Sequence, residues 1–381
     1  MKVAVVAGAA VGVRMSSGGI RATEIARQLD RDHDVTLVGP DDLARVRLAD
    51  FDTVIAQMLP PAELARLARS RTRVVFDLYV PALTEALATR SLGNGLRRAG
   101  VLAQELALAT GDAFVCASER QRDLWIGMLV ELGRVDPGVY ARDPTLRDVI
   151  DVVPFGLPEA EPQGEPVGLK REGERLLLWT GGIVDWLDPL TPIRAVQQLG
   201  RDDVRLVFMG RGPDTHAARL AAAHAGERVA LLDGWVPYEE RASYLLEADI
   251  GVSAHHDTVE SRFAFRTRLL DHFWARLPTV TTEGDVLGEL VEERGLGRAV
   301  RAGDVDAYAE AIEALLAEPP LPSRFEQLRK ELAWPRVVAP LRRLIALESS
   351  PPKRRAPVVR ARLFGARATL TATARVRRAL S

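Results

Sequence analysis

Largely apolar runs of four or five residues alternate along the chain with longer segments in which apolar residues recur every three or four positions. Such runs are typical of parallel strands buried on both faces, and the periodic segments are typical of amphipathic helices. We predict strands at 3–7, 35–38, 53–56, 74–78, 113–117, 176–180, 205–209, 229–232, 250–254 and 279–282. We predict intervening helices at 20–31, 119–132, 190–199, 215–225, 239–248 and 266–276. The alternation in both halves predicts an α/β protein with two doubly wound domains.

A boundary between the two predicted domains falls within residues 157–175, which are rich in Pro, Gly and Glu and show no periodicity. We assign residues 1–156 to an N-terminal domain and residues 172–334 to a C-terminal domain. Each segment is long enough to bury a hydrophobic core of its own.

Composition narrows the class of protein. The 381 residues are 47% hydrophobic and 27% charged, as in a soluble globular protein, and the net charge of −1 gives no overall attraction for nucleic acid. No apolar run reaches the roughly 20 residues that a transmembrane helix needs. The single cysteine, Cys116, cannot form an internal disulfide, so we expect a cytoplasmic protein in which Cys116 is a small core residue.

The loop between the strand 250–254 and the helix 266–276 carries the main candidate for binding chemistry. Pro278 ends that helix, and the loop leaves the carboxyl end of a strand, which is where ligands bind in open parallel sheets. The loop and the first helical turns contain three arginines, a threonine and an aspartate: Arg262, Arg266, Thr267, Arg268 and Asp271. Helix N-terminal amides and arginines together suit a ligand that bears phosphate.

Asp271 is an acid in this basic segment. It shares a helix face with Thr267 and Arg268, and it would repel a phosphate, so we expect it to accept hydrogen bonds from hydroxyl groups. Two structural alternatives stay open: Asp271 forms an exposed ion pair with Arg268, or Arg266 pairs with Glu260.

Three further polar positions have candidate roles. Asp77 ends a predicted strand and is a candidate catalytic or acceptor-binding carboxylate, or else a capping or ion-paired residue. Ser118 precedes a predicted helix and is expected to cap it. The adjacent His255, His256 and Asp257 lack the spacing of metal ligands, so we expect no metal site there.

The segment FAFRTRLLDHFWARLPTV, residues 263–280, resembles the motif E-G-F-G-x-x-L-x-E-A-x-A-x-G-x-P-V of the retaining glycosyltransferases of family 4. Asp271 takes the place of the second glutamate, which in that family holds the nucleotide ribose, and Phe263 replaces the first. Three glycine-rich segments also resemble the family: Gly18–Gly19 before Ile20, Gly181–Gly182 in TGGIVDWLDP, and Gly210–Pro213, which contains Arg211.

This resemblance, which covers roughly residues 1–348, implies a GT-B fold in which two Rossmann-like domains face a central cleft. The N-terminal domain would bind the acceptor, and residues 335–348 would cross back to it. The C-terminal domain would bind a nucleotide-diphosphate sugar through Gly181, Gly182, Arg211, Arg266, Thr267, Arg268 and Asp271, with Gly19 contributed by the other domain.

The implied reaction moves the sugar to a cell-surface polysaccharide, a glycolipid or a secondary metabolite, with retention of configuration. The donor is a substrate, and neither a cofactor nor a metal ion is expected. We assign catalytic roles to Asp77, Arg266 and Arg268, the arginines supplying charge that many family members carry after the first glycine loop. The alternatives are an epimerase or phosphorylase on the same fold, and an inactive nucleotide-sugar-binding protein, which the replacement by Phe263 favours.

Residues 349–381 differ in character from the rest of the chain. They contain nine basic residues and no acidic one, with apolar residues between them. A basic, mildly amphipathic segment of this kind is suited to the surface of an anionic membrane, and a disordered basic tail is the alternative. We therefore expect a cytoplasmic protein that contacts the inner face of the membrane through this tail.

Removing the tail is expected to weaken attachment to anionic vesicles and to leave nucleotide binding unchanged. Each basic residue near such a surface contributes about 1 kcal/mol, screened by salt. Co-sedimentation of the full chain and of a chain that ends at Ser350 measures the difference. Equally low pelleting of both chains at low salt would eliminate the membrane contact.

Overall fold

The computed structural model describes residues 1–13, 15–88, 94–210 and 214–347. These residues form two compact units. One contains residues 1–87, 94–154 and 337–347, and the other contains residues 155–210 and 214–336. The predicted basic tail lies outside the described residues.

The N-terminal unit contains a six-stranded, wholly parallel sheet. Its strands are β1 (Lys2–Val6), β2 (Asp34–Val38), β3 (Thr53–Ala56), β4 (Arg73–Asp77), β5 (Ala113–Cys116) and β6 (Ile150–Val152). They lie in the order β2-β1-β3-β4-β5-β6, and Val3 pairs with both Val35 and Thr53. Most strand residues are buried, because helices cover both faces.

Helices connect these strands. They are α1 (Ser17–Leu29), α2 (Pro61–Leu67), α3 (Ala82–Ala88), α4 (Asn94–Thr110), α5 (Glu119–Glu131) and α6 (Pro137–Arg142), with short 3₁₀ helices at Leu43–Arg45 and Leu48–Asp50. The predicted cap is confirmed, since the Ser118 side chain accepts a hydrogen bond from the Gln121 amide, 3.2 Å away. Cys116 lies in the core of this unit, where burial raises the pKa of its thiol to about 12.

A second six-stranded parallel sheet forms the C-terminal unit. Its strands are β7 (Arg175–Trp179), β8 (Val204–Phe208), β9 (Val229–Leu231), β10 (Ile250–Val252), β11 (Thr279–Thr282) and β12 (Gly297–Val300), in the order β12-β11-β10-β7-β8-β9. Each of the two sheets is covered by helices, which confirms the predicted pair of doubly wound units.

Ten α-helices follow β7 in sequence within the described residues. They are α7 (Leu190–Leu199), α8 (His216–Ala222), α9 (Arg241–Leu245), α10 (Val259–Phe263), α11 (Thr267–Trp274), α12 (Val286–Glu293), α13 (Val305–Ala317), α14 (Ser323–Glu331), α15 (Trp334–Val337) and α16 (Ala339–Ala346), with a 3₁₀ helix at Tyr238–Glu240. Helix α16 belongs to the N-terminal unit, where Arg342 donates to the Gln28 carbonyl over 2.7 Å. Among the described residues, no helix is long and apolar enough to cross a bilayer.

Several elements differ from the sequence-based expectation. Gly18 and Gly19, expected in a loop, lie in the first turn of α1, and the helix expected at 239–248 is only Arg241–Leu245 after a 3₁₀ turn. Helix α10 was not predicted, because it is short and lies within the loop that the sequence predicts between the strand 250–254 and the helix 266–276.

A buried ion pair fixes α1 to the sheet of the N-terminal unit. Arg21 donates from Nε and Nη2 to the two carboxylate oxygens of Asp77, over 2.7 and 2.8 Å, and to the carbonyl oxygens of Val153 and Pro154. Both side chains are almost wholly buried. Asp77, expected as a catalytic or acceptor-binding carboxylate, therefore has a structural partner, and loss of that partner would leave an uncompensated buried charge.

We expect Asp77→Asn to lower the free energy of unfolding by about 3–5 kcal/mol, because it leaves Arg21 buried without a counter-ion. Denaturant unfolding measures the loss. Asp42→Asn is the matched control, since Asp42 forms an exposed pair with Arg45 and its loss costs at most about 1 kcal/mol. Stability equal to the control, together with lost transfer activity, would restore Asp77 as a catalytic group.

Candidate functional site

The topology of the C-terminal sheet indicates where a ligand binds. The chain runs outward through β7, β8 and β9, then returns to the other side of β7 and runs outward again through β10, β11 and β12. Strand order therefore reverses between β7 and β10, and open α/β sheets bind ligands outside the carboxyl ends of the strands at such a point. Two segments leave these carboxyl ends: the glycine turn at Thr180–Gly182 and the loop that leads into α11.

The glycine turn begins directly after β7. Gly181 has φ = +71°, a left-handed conformation that glycine adopts without strain. A Cβ atom at Gly181 would lie 3.9 Å from Nη2 of Arg268, with no closer neighbour outside the turn. The turn therefore leaves its backbone open beside the Arg268 guanidinium.

Helix α11 begins beside this turn. Its N-cap residue, Arg266, makes no side-chain capping bond, and the backbone amides of Thr267 and Arg268 have no partner within the helix. Leu269, Leu270 and Phe273 are buried, which fixes the helix against the unit. The free amides and the helix dipole create a local preference for an anion at Thr267 and Arg268.

Arg268 joins the two segments. It donates from Nη1 to the Thr180 carbonyl over 2.8 Å and from Nη2 to the Gly182 carbonyl over 2.9 Å, and its guanidinium lies 4.9 Å from the Trp179 ring. Burial, and then the charge of Arg266, lowers the pKa of Arg268 to about 9. The structure thus brings Gly181, Gly182, Thr267 and Arg268 close together, and their role in binding a ligand stays a prediction.

His272 lies beneath this arrangement, fully buried, one turn after Arg268. Its Nε2 is 3.2 Å from the Thr180 hydroxyl, and its Nδ1 is 3.3 Å from the Thr279 hydroxyl. Burial and the charge of Arg268 lower its pKa to about 3, so the imidazole is neutral near pH 7. A Cβ at Gly251 would lie 2.5 Å from the imidazole ring, so β10 accommodates His272 only with glycine at that position.

Asp271 has a different partner from the one considered in the sequence. Its Oδ1 accepts a 2.9 Å hydrogen bond from Nε of Arg241, at the start of α9, so Arg241 rather than Arg268 forms the ion pair. The Asp271 side chain is 26% exposed, and Oδ2 has no hydrogen-bond partner within the described residues. Burial raises the pKa of this carboxyl, an effect opposed by Arg241 and Arg268.

The side chain of Arg266 is directed away from Arg268. It forms a bidentate ion pair with Glu260 of α10, over 3.0 and 2.6 Å, and both residues are buried. Its Nε lies 3.7 Å from Oδ2 of Asp285, which is also 3.0 Å from Nε2 of buried His255. The alternative in which Arg266 pairs with Glu260 is therefore confirmed.

The other predicted site residues are not part of this cluster. Gly19 lies in α1 and Asp77 in β4, both in the N-terminal unit. Arg211 lies outside the described residues. His255 is buried beside Asp285 while His256 is exposed, so the adjacent histidines face different surroundings.

Sequence reasoning missed Arg241 and His272. A glycine inside the apolar strand Ile250–Val252 indicates that another part of the chain lies close to the strand backbone. That part is the imidazole of His272. Arg241 carries no such signal, because an arginine at the start of a helix is ordinarily solvated.

The model of the family described as Glycosyl transferases group 1 matches residues 174–318. That range contains the glycine turn, Arg241 and all of α11. The protein is a glycosyltransferase. Among curated protein sequences, none matches this chain.

Solved structures show that this glycosyltransferase has the GT-B fold. A sucrose-phosphate synthase from Thermosynechococcus elongatus superimposes with a TM-score of 0.63 at 14% identity, covering 90% of this chain and 98% of that one. HepE from Anabaena, in complex with UDP and glucose, gives 0.61 at 12% identity and the same coverage. AviGT4, a glycosyltransferase involved in avilamycin A biosynthesis, gives 0.58 at 17% identity, covering 91% of this chain and 98% of AviGT4. At these identities the likeness establishes the fold alone.

The neutrality of His272 predicts a pH dependence of stability. Its pKa is about 3 in the folded protein and 6.5 in the ordinary case, so the unfolded chain binds more protons between these values. The free energy of unfolding therefore falls as pH drops from about 6.5 toward 3. In His272→Gln the melting temperature should fall less between about pH 7 and about pH 5 than in the wild type.

Exposed His216 is the matched control for that experiment, and His216→Gln should follow the wild-type curve. Identical slopes for all three proteins would show that His272 does not stay neutral in the folded state.

Proposed function

We propose that this glycosyltransferase uses a nucleotide-diphosphate sugar, which it binds at the β7–β10 crevice of its C-terminal unit. The observation that carries the proposal is the contact between the glycine turn and the start of α11, made by Arg268 within the range that the family model matches. The structure of HepE supports the ligand class, since that protein binds UDP and glucose in its complex.

The diphosphate is proposed to lie between the glycine turn and the first turn of α11. Backbone amides at the helix start and the guanidinium of Arg268 would neutralise the charge that develops on the leaving phosphate. Two of the five N–H groups of Arg268 donate to carbonyl oxygens. These bonds fix the orientation of the guanidinium and leave its other N–H groups for the phosphate. Arg266 is proposed to act indirectly, by holding the loop before α11 through Glu260.

Asp271 is proposed to bind the ribose hydroxyl groups of the donor. Its Oδ1 is held by Arg241, and the partly exposed Oδ2 remains as an acceptor. A carboxylate is repelled by phosphate and attracted to hydroxyl donors, so its position one turn past Arg268 favours the nucleoside end of the ligand.

The finer features of the reaction rest on the sequence resemblance. Retention of configuration, independence of metal ions and an acceptor bound by the N-terminal unit are expected of family 4. A cell-surface polysaccharide, a glycolipid or a secondary metabolite would serve as acceptor. The involvement of AviGT4 in avilamycin A biosynthesis supports secondary metabolites as the first acceptors to test.

Asp271→Asn should weaken binding of a nucleoside diphosphate roughly ten- to a hundredfold, because one charge-assisted hydrogen bond is worth about 1.5–3 kcal/mol. Arg268→Ala should weaken the diphosphate more than the corresponding nucleoside, since the partner that it loses is the phosphate. Isothermal titration with UDP, ADP, GDP, CDP and dTDP identifies the base and measures both effects. Asp202→Asn, at a side chain 96% exposed, is the control and should bind as the wild type does.

Activity assays distinguish the proposed transfer from the alternatives. Incubation of the matching nucleotide sugar with candidate acceptors, followed by NMR of the product anomeric centre, reveals transfer and its stereochemistry. An inverted product would overturn retention. Interconversion of the donor sugar would indicate an epimerase, and tight nucleotide binding without turnover on any acceptor would indicate a binding protein.

A further inference from the structure

Arg241 occupies an unusual position for an arginine at the start of a short helix. Its guanidinium contacts two aromatic rings, 3.5 Å from the Tyr238 centroid and 4.3 Å from the Trp274 centroid, and 5% of the residue is exposed. Nη1 donates to the Tyr238 carbonyl over 2.6 Å, and Nε donates to Asp271. Cation–π contacts with two rings and two hydrogen bonds hold the plane of the guanidinium in one orientation.

This orientation determines how Asp271 presents its carboxylate. Nε of Arg241 binds Oδ1 alone, so the carboxylate cannot rotate freely about its last bond, and Oδ2 is the oxygen directed elsewhere. The Trp274 side chain is itself fixed, because its Nε1 donates to the Ala160 carbonyl over 2.8 Å. A rigid chain of contacts thus runs from the segment at Ala160 through Trp274 and Arg241 to Asp271.

Two cations act on the carboxylate of Asp271: Arg241 of α9, and Arg268, which lies on the same helix as Asp271. The adjacent His272 is neutral and contributes no charge. Arg268 is bound to the glycine turn, which leaves Arg241 as the hydrogen-bonded counter-ion of the carboxylate. Without Arg241, burial would favour the neutral acid, which is a weaker acceptor for a hydroxyl group.

We propose that Arg241 is a positioning residue that fixes the carboxylate of Asp271 with Oδ2 directed at the ribose hydroxyls, and so makes the enzyme selective for an intact ribose. The inference rests on the proposed function, because it takes the ligand at Asp271 to be a nucleotide. Arg241 touches Asp271 rather than the ligand, so its contribution is transmitted wholly through that carboxylate.

The test compares a nucleoside diphosphate with its 2′,3′-dideoxy analogue, using whichever of the ribonucleotides UDP, ADP, GDP and CDP the wild type binds. Binding of dTDP alone, whose sugar lacks the 2′-hydroxyl, would overturn the selectivity for an intact ribose. Arg241→Gln should weaken the ordinary nucleotide about tenfold and the dideoxy analogue less than about twofold, since the analogue lacks the hydroxyls that Asp271 contacts. In an Asp271→Asn background, Arg241→Gln should produce no further loss. Equal weakening of both ligands, or a full additional loss in the double variant, would overturn the positioning role.

A pH series provides a readout that a purely structural role would not move. Removal of the Arg241 charge raises the pKa of Asp271 further, so affinity for the nucleotide should be lost at a higher pH in Arg241→Gln than in the wild type. Arg241→Lys keeps the charge and should restore the wild-type pH profile while recovering only part of the affinity. An unchanged profile in Arg241→Gln would contradict the proposal, and the lysine variant provides a soluble comparison if the glutamine variant does not fold.

Arg205→Gln is the matched control. Arg205, on β8, is 8% exposed and forms a bidentate pair with Glu174 over 2.5 and 2.9 Å, so it matches Arg241 in burial and in having a carboxylate partner. This variant should lose stability without changing the ratio of the two affinities. If the wild type binds none of the five nucleotides, the proposed function fails. If the wild type binds one of them, but Arg241→Gln leaves the ratio of the affinities for the ordinary and the dideoxy nucleotide unchanged, the positioning role alone fails.

Discussion

The guanidinium of Arg268 is the contact on which the candidate site depends. It lies between two segments that are far apart in sequence and that leave adjacent strands at the reversal of strand order. Burial of an arginine is costly unless its donors are satisfied, and here two carbonyl oxygens and the face of Trp179 offset that cost. Because the acceptors belong to the glycine turn itself, the same contacts that stabilise the cation also determine the shape of the turn.

The charged side chains on and around α11 each have a different partner. Arg268 directs its charge at the glycine turn, Arg266 is neutralised by Glu260, and Asp271 is balanced by Arg241. Nearby His272 stays neutral, so it fixes Thr180 by hydrogen bonding without adding to the positive potential. Within the described residues, the basic segment that the sequence presents as one cluster therefore contains two ion pairs, Arg266–Glu260 and Arg241–Asp271. Arg268 is bound to carbonyl oxygens instead and remains as a cation beside the glycine turn.

The sequence predicts most strands because a strand covered on both faces must be apolar along its whole length, and 53–56 and 279–282 coincide with β3 and β11. It misses the short strands β6 and β12. Helix ends are less accurate: 190–199 coincides with α7, whereas 20–31 became Ser17–Leu29. The direction of a side chain cannot be predicted from spacing, since Arg266 and Arg268 are two residues apart and face different partners. Those partners come from α10 and from the turn after β7, whose positions only the tertiary fold defines.

The close contact between Gly251 and His272 links two positions from different elements. The imidazole occupies the space that a Cβ would need, so a side chain at 251 and histidine at 272 exclude each other. A sequence change at these two positions therefore requires paired replacements, because residue 272 has to be replaced by a smaller one before residue 251 can gain a side chain. In related chains we expect the two positions to vary together. Glycine at 251 with histidine at 272 would then identify chains in which a buried imidazole lies beneath the glycine turn.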